Sequence, residues 1–166
     1  MPEIVLDCCV VSNFAFSDSL SLLRALYRGE AVMTSFVEAE VIRGIQAGHL
    51  ELARIRDAVR SGWLTAIGLA PPEESSLFER LSVSLGLGEA SSIALAKTRG
   101  LVLACDDRAA RREAGLIGVK LTGTIGIFKR AVRQRLVSLG DGDRRLEAMR
   151  AHGYYASVKS LRDIPD

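Results

Sequence analysis

Short, largely apolar runs recur along the chain and alternate with longer stretches whose apolar residues fall at helical spacing. The runs are Ile4-Val5-Leu6, Ala31-Val32-Met33-Thr34, Trp63-Leu64-Thr65-Ala66-Ile67, Leu101-Val102-Leu103-Ala104 and Val119-Lys120-Leu121. Runs this short and this apolar read as strands covered on both faces, the pattern of a parallel sheet. Between the first two, residues 10–27 carry Phe14, Phe16, Leu20, Leu22, Leu23 and Leu26 and are broken at Ser17-Asp18-Ser19, where a second helix can be capped. Val37, Val41 and Ile45 stand four residues apart, so 36–45 reads as a helix behind Ser35 as N-cap. Further helices are expected over 49–60 and 73–84, from Glu89 to Lys97, from Arg108 to Ala114, and from the Thr122-Gly123-Thr124-Ile125-Gly126 turn to Arg133. Strands alternating with helices imply an α/β fold, a doubly wound parallel sheet of about five strands flanked by helices. One domain is expected, with residues 1–139 as its body and 140–166 as a helical tail packed on it.

At 166 residues and 48% hydrophobic the chain is sized for such a core. Its 22 Lys and Arg against 20 Asp and Glu leave a formal net charge of +2, too mild to identify a nucleic-acid partner by itself. Placement says more: acids stand at segment ends, and Arg is concentrated in the last third. No apolar run reaches the roughly 18 residues of a membrane helix. The N-terminus lacks the basic start and cleavage site of a signal peptide, so a soluble, cytoplasmic protein without membrane partners is expected. Three cysteines, two of them adjacent, make no disulfide framework and no spaced zinc motif; they read as small buried residues.

The acids carry the chemistry. Asp7 and the pair Asp106-Asp107 follow apolar runs, at the carboxyl edge where open α/β sheets build their sites. Glu40 lies beside Val41 on the helix after the second run, and Glu89 opens the helix after Gly88. Singly, each has an ordinary explanation as a helix cap, a dipole partner or a solvated acid. If the first and fourth strands are neighbours, all converge. Clustered carboxylates raise one another's pKa and call for a cation. An oxygen donor set without histidine or spaced cysteines suits Mg²⁺ or Mn²⁺. Such an ion activates water and stabilises charge on a phosphodiester, so the implied chemistry is metal-dependent phosphodiester hydrolysis.

The order Ile-Val-Leu-Asp7, Ser35-x-x-x-x-Glu40-Val41, Gly88-Glu89-Ala90-x-x-Ile93-Ala94-x-Ala96 and Leu-Ala-Cys-Asp-Asp-Arg108 resembles the PIN-domain ribonucleases over residues 3 to 130. The closing Leu121-Thr122-Gly123-Thr124-Ile125-Gly126-Ile127 resembles the branch related to VapC toxins. The resemblance implies a PIN-like nuclease domain that cuts RNA with Mg²⁺ or Mn²⁺, as the toxin of a toxin–antitoxin pair, with a cognate antitoxin and a homodimer as partners. By position, Asp7, Glu40 and Glu89 match the first three family acids. Asp107 matches the fourth, with Asp106 selected instead if the strand slides by one residue. Ser12 and Asn13 match polar positions that support Asp7 or a water, while Cys8 and Cys9 depart from the family's Thr, Ser or Asn.

Other features keep two readings. Arg108, Arg111 and Arg112 lie on the helix that begins at the site and are placed to hold an RNA backbone, or to pair with nearby acids. Lys129, Arg130, Arg133, Arg135, Arg144, Arg145 and Arg150 extend the basic set. Amides of the Thr122–Gly126 turn can bind a phosphate, though a plain turn is the simpler account. Tyr154 and Tyr155 can stack a base or pack the tail. Phe14, Phe16, Leu20 and Leu23 belong to the core or to a partner face. The alternative function is a non-catalytic PIN-like module that binds RNA or protein. A phosphoryl-transfer domain fits poorly, because the third position of an Asp-x-Asp motif is Cys9.

Overall fold

A computed structural model describes residues 3–164. Strands β1 (Ile4–Leu6), β2 (Ala31–Thr34), β3 (Leu64–Ile67), β4 (Val102–Ala104) and β5 (Leu121–Thr122) form one sheet in the order β3-β2-β1-β4-β5. Every pairing is parallel. The chain winds outward from β1 through β2 to β3, then returns beside β1 and winds the other way. The switch point therefore lies between β1 and β4, where the connections diverge and leave a crevice at the carboxyl edge.

The helices are α1 (Cys8–Phe16), α2 (Leu20–Tyr27), α3 (Ser35–Gln46), α4 (Ala53–Arg60), α5 (Glu73–Leu81), α6 (Leu87–Arg99), α7 (Arg108–Leu116), α8 (Thr124–Arg133) and α9 (Leu139–Ala151). Alternation along β1 divides the core. Ile4 and Leu6 face a cluster with Phe14, Leu23, Phe128 and Leu146, while Val5 faces Ile93, Leu95, Leu103 and Ala110. All three β1 side chains are inaccessible to solvent, which is why this strand has no polar position. Phe14 and Phe128 stack at 5.0 Å between α1 and α8, a pairing worth about 0.5–1.5 kcal/mol beyond its burial.

Some boundaries differ from the sequence expectation. Thr34, not Ser35, caps α3: its hydroxyl accepts from the Val37 amide at 3.2 Å. The expected helix over 49–60 begins as a 3-10 turn at Leu50–Leu52, whose Leu52 side chain fills the space a Cβ on Gly44 would need. β5 pairs through Leu121 and Thr122, starting two residues later and ending one later than expected.

The C-terminal segment is built into the same core. Leu146 and Met149 are fully buried, and Leu161 packs against the backbone of Gly142, where a Cβ would meet Leu161 Cδ1 at 2.5 Å. Asp143 accepts from Ser160 Oγ and the Leu161 amide, both at 2.8 Å. Arg150 donates to the carbonyls of Val158 and Lys159. Arg145 reaches back to the Asp18 carbonyl and Ser19 Oγ. Phe14 and Leu23 are buried, which gives them to the core. Of the ranges 1–139 and 140–166, residues 1–2 and 165–166 lie outside the described residues. No described helix is long and apolar enough to cross a membrane.

Truncating Leu146 to Ala should lower the unfolding free energy by about 2–5 kcal/mol, as for other fully buried leucines. Urea denaturation measures it; a loss below about 1 kcal/mol would make α9 peripheral to the core.

Candidate functional site

Pairing of β1 with β4 sets Leu6 opposite Ala104, so the next residues, Asp7 and Cys105, stand side by side at the carboxyl edge. The Asp7 amide continues the ladder onto the Ala104 carbonyl at 3.0 Å. Asp7 occupies the N-cap of α1, but its side chain makes no capping bond. It is 2% exposed. Oδ2 accepts from the thiols of Cys9 at 3.4 Å and Cys105 at 3.5 Å, and buried Oδ1 has no hydrogen-bond partner. Burial holds the Asp7 carboxyl above its ordinary pKa; the nearby Cys8 amide and then the two thiols oppose that shift, and Glu40 adds to it.

Two helices bring further acids to this edge. Glu40, on α3, accepts from the Gly88 amide at 3.2 Å at the start of α6. A Cβ on Gly88 would come within 2.6–2.8 Å of the Glu40 carboxylate, so only glycine permits this approach. α6 is pinned there by a chain of hydroxyls: Thr34 Oγ1 meets Ser91 Oγ at 2.7 Å, and Ser91 donates to the Gly88 carbonyl. Glu89 closes the first turn by accepting from the Gly86 amide at 3.1 Å. Its carboxyl is held above its ordinary pKa, first by burial and then by the charges of Asp107, Asp7 and Glu40. Glu89 is thus within reach of acids from three other segments.

Asp106 and Asp107 have different surroundings. Asp106 accepts from the Thr124 amide at 2.9 Å, the Thr124 hydroxyl at 2.5 Å and Asn13 Nδ2 at 3.3 Å. A Cβ on Gly123 would meet Asp106 Oδ1 at 2.6 Å. The turn before α8 therefore holds the chain's own carboxylate in the position where a helix N-terminus would take a phosphate. Asp107 is exposed, caps α7 through the Ala110 amide at 2.9 Å, and is the acid whose charge reaches Glu89.

Among the polar positions, Asn13 bonds Asp106 and Thr124 rather than Asp7, because it lies on the side of α1 that faces α8. Ser12 meets the Cys8 thiol at 3.9 Å. Burial, with Glu40 nearby, pushes the Cys8 thiol up to about 12.

An open cleft of about 1130 Å³ is bordered by Asp106 and Asp107 but by none of Asp7, Glu40 and Glu89. Asp106, Asp107, Arg108, Arg111, Tyr154 and Tyr155 line it, with Cys9 and the turn before α8. Arg111 is held inward, donating from Nη1 to the carbonyls of Cys105 at 2.7 Å and Thr122 at 2.8 Å. It ties the ends of β4 and β5 together. Arg108 and Arg112 are exposed and make no ion pair among the described residues. Arg144 and Arg145 pair with Asp141, Arg150 pairs with Glu147, and Arg130 lies over the Tyr27 ring. Tyr155 is 89% exposed at the cleft. The Tyr154 hydroxyl is held above its ordinary pKa by burial and by Asp106.

Sequence reasoning passed over Cys9, Cys105 and Thr124 as site residues. The signal for Cys105 was present: a residue following β4 must align with the residue following β1 once the two strands pair. Thr124 and Gly123 carried no such signal, since their role depends on which way Asp106 turns.

No curated protein matches the chain. The PIN-domain family matches residues 3–165, almost its whole length. The parallel sheet with its switch point at β1 and β4, and the acids at that edge, agree with the match. The chain belongs to the PIN-domain family, whose fold is that of a nuclease.

Proposed function

We propose that this chain is a metal-dependent endoribonuclease in which Asp7, Glu40, Glu89 and Asp107 hold Mg²⁺ or Mn²⁺, with RNA as substrate. The observation that carries this reading is the Asp7 carboxylate at the carboxyl edge, 2% exposed with Oδ1 unpartnered, and the acids Glu40, Glu89 and Asp107 brought toward it from other segments. Like charges gathered beside a buried, unpartnered Asp7 oxygen are costly in the metal-free chain and are relieved by a bound cation. The donor set fits a hard ion, being carboxylate oxygen from α3, α6 and the ends of β1 and β4. When bound there, a divalent cation supplies an activated water and neutralises charge on a phosphodiester. Glu40 is oriented for this by the Gly88 amide, and Glu89 by the Gly86 amide.

Asp106 serves as a positioning residue. It joins the turn before α8 to Asn13 and so fixes the cleft wall next to Asp107. Arg108 and Arg112 supply cationic contacts for an RNA backbone, a sequence-independent attraction that weakens with salt. Arg111 contributes to the shape of the cleft, since its guanidinium is engaged by two backbone carbonyls. In the cell, the resemblance to VapC-related chains supports a toxin held in check by an antitoxin.

Purified chain offered a mixed RNA pool should cut it with Mg²⁺ or Mn²⁺ and not with EDTA. Asp7→Asn should reduce cutting by more than the roughly 10–100-fold that loss of an outer-shell partner costs. Full activity in that variant, or cutting in EDTA, would sink the metal reading. A folded chain that binds RNA and never cuts it would favour a binding module.

Asp107→Asn keeps a capping oxygen, so it should lose activity while melting at the wild-type temperature. Asp106→Asn presents an amide to donors from Thr124 and Asn13, and should lower stability by about 1–3 kcal/mol as well as activity. Thermal melts of both variants decide the assignment; the reverse pattern would exchange the two roles.

The raised Asp7 pKa has a sign that can be tested without metal. A carboxyl whose folded pKa lies above its unfolded value contributes stability below the ordinary value of 3.8, and that contribution is lost as pH rises through the folded pKa. Metal-free Asp7→Asn should therefore melt higher than wild type at pH 7, with the gap closing as pH falls toward 3.8. Melting curves across pH measure it. A variant less stable than wild type at pH 7 would show that the Asp7 charge is stabilising without metal.

A further inference from the structure

The thiols beside Asp7 belong to none of the roles above. Cys9 Sγ lies 3.4 Å and Cys105 Sγ 3.5 Å from the same Asp7 oxygen, Oδ2. The three donors lie within 4.8 Å of one another. A tetrahedral zinc ion with metal–sulfur bonds near 2.3 Å and metal–oxygen bonds near 2.0 Å has sulfur–oxygen edges of about 3.5 Å. The two observed separations match that edge. Oxygen ligands around Mg²⁺, at about 2.0–2.1 Å in an octahedron, stand closer together, near 3 Å. Thiolates are also soft donors that favour Zn²⁺ over Mg²⁺.

A second observation is independent of the sulfur geometry. Asp7 Oδ1 is buried and has no hydrogen-bond partner, in a side chain only 2% exposed. A carboxylate oxygen removed from water in this way lacks the partner that buried polar groups ordinarily find. The nearby Cys8 does not share the arrangement, since its thiol turns to Ser12 Oγ at 3.9 Å.

We propose that Asp7, Cys9 and Cys105 form a binding site for a thiophilic divalent ion, Zn²⁺ or Cd²⁺, chemically distinct from a carboxylate site for a hard ion. As each sulfur–metal bond forms, the thiol proton passes to solvent, and Asp7 contributes its carboxylate. The protein supplies three ligands, which leaves a tetrahedral ion one open position. The site stands whether or not the chain cuts RNA. Under the nuclease reading, Asp7 is common to both ligand sets, so a soft ion there withdraws a ligand from the hard-ion centre.

Titration of the full, reduced chain with Cd²⁺, followed by the ultraviolet thiolate-to-cadmium charge-transfer band, tests the site without RNA. The band should saturate at one equivalent, persist in a large excess of Mg²⁺, and disappear on adding Zn²⁺. Cys8→Ser should leave it unchanged, while Cys9→Ser and Cys105→Ser should each weaken Cd²⁺ binding at least tenfold. Circular dichroism checks that each variant is folded. Cys9 lies half-buried on a helix surface, so its variant decides the matter if the buried Cys105→Ser unfolds. No band from the folded wild-type chain, or an equal band in folded Cys9→Ser, would overturn the proposal. Neither result would touch the nuclease reading, which RNA cleavage tests separately.

Discussion

Burial of a carboxylate at one end of a parallel sheet is the constraint that the groups around it answer to. Asp7 sits where β1 leaves the sheet and is shut away from water, and Glu40 and Glu89 are delivered to it by helices packed over the same edge. A group of like charges in such a place strains the fold unless each is oriented by its own donor and together they have a counter-ion. The backbone supplies some of those donors. The Gly88 amide holds Glu40, the Gly86 amide holds Glu89 and the Ala110 amide holds Asp107. Asp7 Oδ1 is the exception, with none.

Close approach of this kind depends on missing side chains. A methyl group on Gly88 would collide with Glu40, and one on Gly123 would collide with Asp106. Both glycines stand at the start of a helix, where free amides carry partial positive charge. The helix ends therefore act on the chain's own acids. Hydroxyls complete the frame: Thr34 and Ser91 bind the end of β2 to α6, and Thr124 joins α8 to Asp106 and Asn13. These are buried bonds between segments far apart in the chain, so they set the relative positions of elements as well as of side chains.

The basic side chains divide on the same physical grounds. On α9, Arg144 makes only an exposed ion pair that adds little to stability, whereas Arg145 and Arg150 also donate to backbone carbonyls of other segments. On α7, Arg111 turns inward to two carbonyls at the ends of β4 and β5, leaving Arg108 and Arg112 as the exposed cations on that helix. A tally of arginines would have treated all of them alike.

Much of the fold was legible in the sequence, because a strand buried on both faces must be apolar throughout and a charge following it marks the strand's end. That physical necessity made Ile4–Leu6 and Val102–Ala104 visible, and with them Asp7 and the Asp106-Asp107 pair. Helical spacing put Glu40 beside an inner face, and Gly88 marked Glu89 as the opening of a helix. What the sequence left open were the contacts between segments distant along the chain. Cys105 bonds Asp7 across 98 positions, and Asn13 bonds Asp106 across 93. Nothing local to Asp106 or Asp107 says which of two successive carboxylates turns toward Thr124 and which toward Glu89. Only the β1–β4 register and the packing of α6 and α8 over that edge decide it, because hydrogen bonds need atoms in contact and charge interactions are screened beyond about 10 Å.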